Sequence, residues 1–219
     1  MAARKSPKSG KSRVRKIRLL VTGHDRQGRS VIVSDKPSPH TKIIDGIANF
    51  RTTDLWKTVA IPADNDVAGD PCKGPITFAP PTNGIVLRVV QFPPDATYVK
   101  KFNREKAFAS LGKSGAAALV RDKNSERHPM MHRTESEDYA IVLSGEVWSV
   151  MDKGEAKMRA GDILVQRGTN HAWSNRTNKP CLICFVQIDA KPGRRARGGG
   201  AKLSQSLSKV VKESGARAD

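Results

Sequence analysis

The feature that most limits how this chain can fold is the spacing of its glycine turns after residue 127. Four short β-rich runs follow one another: DYAIVLSGEVWSVMD, EAKMRAGDILVQRG, HAWSNRT and PCLICFVQID. Turn signals punctuate them at Ser144-Gly145, Asp152-Lys153-Gly154, Ala160-Gly161-Asp162 and Arg167-Gly168. Strand-turn repetition this dense requires an antiparallel sandwich or barrel.

Upstream, GIVLRVVQFPP (84–94) reads as a further strand stopped by a proline pair. NREKAFASLG (103–112) has weak helical character and reads as an insert or lid. IRLLVTGHDRQGRSVIVSD reads as a hairpin, with IRLLV and SVIVS flanking a polar loop that contains Gly28. Residues 35–83 are rich in Pro, Gly, Asp and Asn, with a short order signal at TTDLWKTVAIP, and read as an irregular arm holding one or two short strands. The expected division is a basic disordered tail over 1–18, a hairpin and arm over 19–83, a barrel over 84–190 and a basic flexible tail over 191–219. Within the last tail, Leu203, Leu207, Val210 and Val211 have helical spacing.

A net charge of +18 raises the question of nucleic acid, and its distribution answers it. Residues 1–18 hold eight Lys/Arg and no acid; residues 191–219 hold eight Lys/Arg and two acids. The body between them is close to balanced, which argues against a folded basic groove. Non-specific, salt-sensitive attraction to nucleic acid through the tails is what remains of that reading. No apolar run approaches the ~18 to 20 residues of a membrane span, and no apolar segment of signal-peptide type follows the basic start. A cytoplasmic protein is expected. Three cysteines make no disulfide framework, and Cys181 and Cys184 lie on opposite faces of one strand, so they read as structural thiols.

The stretch HRTESEDYAIVLSGE (132–146) carries the chemistry. As a strand it puts His132, Thr134, Ser136 and Asp138 on one face, and Tyr139 on the other. In HAWSN, His171, Trp173 and Asn175 share a face in the same way. The residues of 84–190 resemble the cupin superfamily, specifically its small single-barrel type 2 group, in an uncharacterised bacterial subgroup. His132 takes the first histidine position of the usual first motif, Thr134 the second histidine, Asp138 the glutamate and Gly145 the glycine. In the second motif Gly161, Gly168, His171 and Asn175 match, while Gln166 replaces the proline.

The resemblance implies an all-β, antiparallel jelly-roll barrel with a metal in its mouth, carried by three histidines and a glutamate. Here His132, Asp138 and His171 would form a two-histidine, one-carboxylate set suited to Fe, with Mn or Zn also admissible. Asp138, if not a ligand, would serve as a base. Thr134 in a histidine's place equally suits a degenerate, metal-free pocket, and a plain hydrogen-bonded His–Asp pair is the structural alternative. Trp173 is read as a wall for a flat substrate or as core packing. Gln166 and Asn175 could bond a ligand or orient a histidine from behind. Arg88 interrupts an apolar strand; pointing inward it would clamp a substrate carboxylate, and pointing outward, the favoured reading, it is solvent-facing. His128, before Pro129, is read as a loop surface residue.

Two functions follow. One is a metal-dependent enzyme on a small organic acid or aromatic metabolite, its lyase, isomerase or oxygenase class open. The other is a non-catalytic small-molecule binding or sensing barrel. A homodimer is expected, because a spare hairpin and long arm favour strand exchange across a two-fold axis.

Overall fold

The computed structural model describes residues 16–113, 115 and 127–192. The expectations for residues 1–15 and 193–219, including the terminal helix, lie outside these. Eleven strands and a short α-helix form the regular part of the described structure, joined by turns and loops. The hairpin is β1 (Arg18–His24) with β2 (Ser30–Pro37). Then come β3 (Thr41–Ile43), β4 (Arg51–Thr58) and β5 (Ile85–Phe92), and the helix α1 (Arg104–Ala109), whose Asn103 side chain accepts from the Lys106 N–H as an N-cap. Six further strands complete the fold: β6 (Ser136–Ser144), β7 (Glu146–Met151), β8 (Glu155–Arg159), β9 (Ile163–Arg167), β10 (His171–Ser174) and β11 (Cys181–Asp189).

β3-β4-β5-β11-β6-β9 form one sheet and β10-β7-β8 a second, with every pairing antiparallel. Val147, Val150, Met158 and Trp173 of the smaller sheet meet Ala140, Val142, Ile183 and Phe185 of the larger in a single apolar core. The fold is the expected all-β, jelly-roll type of architecture.

The chain passes from one sheet to the other at Gly145. Its φ is +81°, and a Cβ there would lie 2.9 Å from the Pro180 carbonyl oxygen. Only glycine accepts both the left-handed backbone and that approach. Burial along β6 alternates, so that Ser136, Asp138, Ala140 and Val142 point inward and Tyr139 outward, as the period of two requires.

The arm holds the two short strands expected of it, and the order signal at TTDLWKTVAIP falls on β4. β4 is an eight-residue strand of the large sheet, paired with β5 along its length. The sheet therefore begins well before residue 84. Segment 44–58 also supplies Phe50, Thr52 and Asp54 to the interior, and Phe78 joins them. Local composition marked this strand but not its partner, β5, from which its stability comes.

Cys181 is buried, and burial pushes its thiol up to about 12; Cys184 sits on the opposite face. Neither is poised for redox or metal chemistry. Among the described residues no helix is long and apolar enough to cross a membrane.

Candidate functional site

His132 and His171 face each other across an antiparallel bridge. The His132 N–H donates to the His171 carbonyl and the His171 N–H to the His132 carbonyl, each at 2.9 Å. Residues so paired project their side chains to the same face, and the imidazole centroids lie 4.3 Å apart. The backbone, through this two-bond seam between a loop and β10, thus creates the histidine pair.

Each ring is also fixed in tautomer. His132 Nδ1 lies 2.7 Å from the Met130 carbonyl oxygen, and His171 Nδ1 lies 2.9 Å from that of Thr169. A carbonyl can only accept, so Nδ1 carries the proton in both rings and each Nε2 keeps a lone pair. Burial, reinforced by the neighbouring His171, Arg104 and His128, pushes the His132 pKa well below the ordinary value. Burial likewise lowers His171, against the Thr169 carbonyl and Asp138, which act to raise it. Both imidazoles are neutral at pH 7.

Asp138 points into the same cavity from β6. Its Oδ2 accepts from Gln187 Nε2 at 3.2 Å, while Oδ1 is buried without a hydrogen-bond partner. Gln187 and Asp138 are direct cross-strand partners. Burial raises the Asp138 pKa, against the neighbouring Ser136, Gln187 and His171, which act to lower it.

The cavity encloses about 90 Å³. Its polar floor is His132, His171, Asp138, Gln187 and Thr52, and its walls are mainly aromatic: Phe50, Phe78, Phe92, Phe108, Trp173 and Phe185. Phe78 meets the His132 ring edge-on at 4.9 Å, and Trp173 meets His171 at 5.7 Å. α1 closes one side through Ala107 and Phe108.

Arg88 corrects the favoured outward reading. It points into the barrel, 4% exposed, and lines the cavity. Its Nη2 lies 3.0 Å from Asp54 Oδ1 and donates to the Thr77 carbonyl at 2.8 Å, while Nη1 donates to the Phe78 carbonyl at 3.4 Å. Lys57 Nζ approaches the other Asp54 oxygen at 3.3 Å. Two of the three guanidinium nitrogens hold the chain that carries Phe78, and only Nε is unpaired. Alternation alone put Arg88 on the face of Val86, Val90 and Phe92; the missing signal was its counter-ion, which lies in the arm at Asp54.

His128 is likewise buried rather than at the surface. Its Nδ1 accepts the Met130 N–H at 3.2 Å, which leaves the proton on Nε2, 3.4 Å from Asp95 Oδ2. Asp95 also accepts from Ser174 Oγ at 2.6 Å and from the Asn175 N–H at 3.1 Å.

The other expected ligand-contacting residues stand outside the cavity lining. Thr134 accepts from Ser136 Oγ at 2.8 Å. Gln166 donates to the Thr169 hydroxyl and carbonyl, the same carbonyl that orients His171, so it acts behind that imidazole. Asn175 spans the Phe92 and Lys179 carbonyls and ties β10 to its neighbours. Tyr139 faces outward, as alternation requires. Gln187, missed in the sequence, was legible as an inward position of LICFVQI, in phase with Ile183 and Phe185.

Two buried neutral imidazoles with backbone-anchored Nδ1–H groups fit the donor pattern of metal-ligating histidines. Asp138 is not grouped with them: among the described residues, no three His, Cys, Asp or Glu side chains cluster closely enough to hold an ion. Its carboxyl group is drawn instead to Gln187 across β11.

A closed all-β double sheet with a buried histidine pair at the floor of an aromatic cavity is the class that fold and site define. Family comparison agrees with that class: residues 119–187 match the model of the cupin domain. "Phomopsin biosynthesis cluster protein C'" of Diaporthe leptostromiformis is 44% identical over 36% of this chain and 42% of its own length. The "Cupin-domain-containing oxidoreductase virC" of Hypocrea virens is 28% identical over 78% of this chain and 75% of its own length. A solved "Cupin 2 conserved barrel domain protein" from Salinispora arenicola is 16% identical, covers 67% of this chain and 82% of that one, and has a TM-score of 0.34. The chain thus matches less than half the length of the first of these relatives. The relatives are fungal and give no support to the expected bacterial subgroup.

Proposed function

We propose that this cupin domain is an enzyme acting on a small aromatic metabolite bound over the His132–His171 pair. The carrying observation is the paired, neutral imidazoles whose Nε2 atoms serve a cavity walled by Phe50, Phe78, Phe92, Phe108, Trp173 and Phe185. Aromatic walls favour a flat apolar substrate. A small organic acid is supported less well, because Arg88, the one cation lining the cavity, is already neutralised by Asp54. The relatives named as oxidoreductases and biosynthesis-cluster proteins support an enzymatic reading and a redox reaction.

His132 and His171 would hold a divalent metal of the Fe, Mn or Zn type, leaving most coordination positions open to substrate. Such an ion supplies Lewis-acid polarisation of a bound oxygen, or redox capacity if it is iron. Gln166 and Met130 fix the ring orientations through the carbonyl of Thr169 and directly, respectively. Asp138, its pKa raised by burial, holds or releases a proton at its unpaired Oδ1.

The test is elemental analysis of untagged protein purified without chelators. Wild type carries near-stoichiometric transition metal, and His132→Ala and His171→Ala each lose at least about 90% of it, in line with the 10- to 100-fold cost of disturbing a metal site. Metal-free wild type, or histidine variants that keep their metal, would overturn the metal-dependent reading. A non-catalytic binding barrel is favoured by one observation, that among the described residues no three His, Cys, Asp or Glu side chains form an ion site. It predicts thermal stabilisation by aromatic ligands without turnover.

A further inference from the structure

Four side chains that line the cavity each keep a polar atom without a hydrogen-bond partner: Thr52 Oγ1, Arg88 Nε, Gln187 Oε1 and Asp138 Oδ1. None of the four residues is more than 7% exposed. Buried polar groups are normally paired, and one left unpaired costs its full desolvation. Four such atoms around one cavity call for a partner of matching polarity.

Their placement is ordered. They stand one each on β4, β5, β11 and β6, which are consecutive strands of the large sheet. Gln187 is directly opposite Asp138. Arg88 is opposite Phe185, two residues from Gln187 on the same face, and Thr52 lies two residues from Asp54, the partner of Arg88. Side chains related in this way reach one another on a sheet. A polar row therefore crosses the inner face of the large sheet diagonally, whereas His171 belongs to the smaller sheet.

The row has a definite polarity. Gln187 Nε2 donates to Asp138 Oδ2, so the amide is turned with Oε1 as its free end. Gln187 Oε1 and Asp138 Oδ1 both accept. Arg88 Nε–H donates, while Asp54 and the Thr77 and Phe78 carbonyls hold the rest of the guanidinium. Thr52 Oγ1 does either. An ammonium group suits the two acceptors but offers nothing to the Arg88 N–H. A carboxylate suits the Arg88 N–H but sets more acceptors against Gln187 and Asp138. A neutral hydroxyl donates one hydrogen bond and accepts two, so it answers both kinds of group.

We propose that this row is a specificity subsite for a hydroxyl group carried by the aromatic ligand. Gln187 and Asp138 accept the hydroxyl hydrogen, and Arg88 Nε–H or Thr52 donates to its oxygen. Gln187 is the specificity-determining residue, because its amide both orients the Asp138 carboxyl group and presents an acceptor of its own. The inference rests on the reading that an aromatic ligand fills the cavity, and adds which substituent that ligand carries.

Ligand-detected NMR titration of the full chain tests this with phenol and toluene, which share a shape and differ in the hydroxyl, and with benzoate and benzylamine. Wild type binds phenol at least about 10-fold more tightly than toluene, because a site built for a hydroxyl rejects the analogue that lacks it. Gln187→Leu and the volume-matched Gln187→Met keep toluene affinity within about 3-fold and reduce the phenol preference to below about 3-fold. Both variants keep the metal content of wild type, which separates this loss from a change at the histidine pair. The wild-type ratio decides even where a variant fails to fold. Equal binding of phenol and toluene overturns the subsite and leaves the aromatic reading standing, whereas binding of neither overturns both. Tightest binding of benzoate or benzylamine, or Gln187 variants that retain the wild-type preference, also overturns the proposal.

Discussion

Removing the Asp54 carboxylate isolates the energetic role of the buried ion group. Asp54 has no exposed surface and Arg88 is 4% exposed, with 3.0 Å between their charged atoms and Lys57 3.3 Å away on the other side. In Asp54→Ala, Arg88 keeps its bonds to the Thr77 and Phe78 carbonyls but loses its counter-charge inside the barrel. Breaking a buried pair from one side costs about 3–5 kcal/mol, because an uncompensated charge remains. For a domain of this size about 1 kcal/mol corresponds to ~2–4 °C in Tm, so the melting temperature falls by roughly 6–20 °C. The double variant Asp54→Leu/Arg88→Met, which removes both charges and keeps volume, returns to within about 2 kcal/mol of wild type. Urea unfolding and calorimetry of the three proteins measure this. A loss below about 1 kcal/mol in Asp54→Ala, or a double variant worse than the single, would refute the claim that Arg88 is held by Asp54 rather than kept free for a ligand.

The histidine pair makes stability depend on acid. Both folded pKa values lie below the ordinary 6.5, so the unfolded chain takes up more protons as pH drops below that value. Stability is then full above pH 6.5 and declines as pH falls toward the folded values, by up to ~1.4 kcal/mol per pH unit per histidine. Urea midpoints between pH 7.5 and 5 should show this decline, and it should shrink in His132→Gln; a flat wild-type profile contradicts the buried neutral pair. Gly145→Ala forces a non-glycine residue to φ +81° beside the Pro180 carbonyl and should cost at least about 1–3 kcal/mol in urea unfolding. Phe108→Ala opens the cavity beside His132. In urea unfolding it should cost about 3–5 kcal/mol.

Much of the barrel was legible because its signals are local. Alternation in DYAIVL and LICFVQ, and the glycines at 145 and 161, set the strands and turns wherever burial has a period of two. The meeting of His132 with His171 followed from that same alternation. What escaped depends on distant partners. The pairing of β4 with β5 did so, and the direction of Arg88, set by Asp54 some thirty residues away. The inward seat of His128 depends on Asp95, and half the aromatic wall comes from Phe50, Phe78 and Phe108, which no local pattern ties to the histidines. Asp138 was placed in the right cavity by its strand phase, yet its leaning toward Gln187 required knowing which strand lay beside it.

The order of strands in the large sheet fixes when the site can form. β11 lies between β5 and β6 and hydrogen-bonds both, although among the described strands it is made last. A chain emerging from the ribosome therefore carries a gap through the middle of its principal sheet until residues 181–189 arrive. The histidine cavity, with Phe185 and Gln187 among its walls, matures only at that last insertion, so ligand capture during synthesis has to wait for the keystone strand.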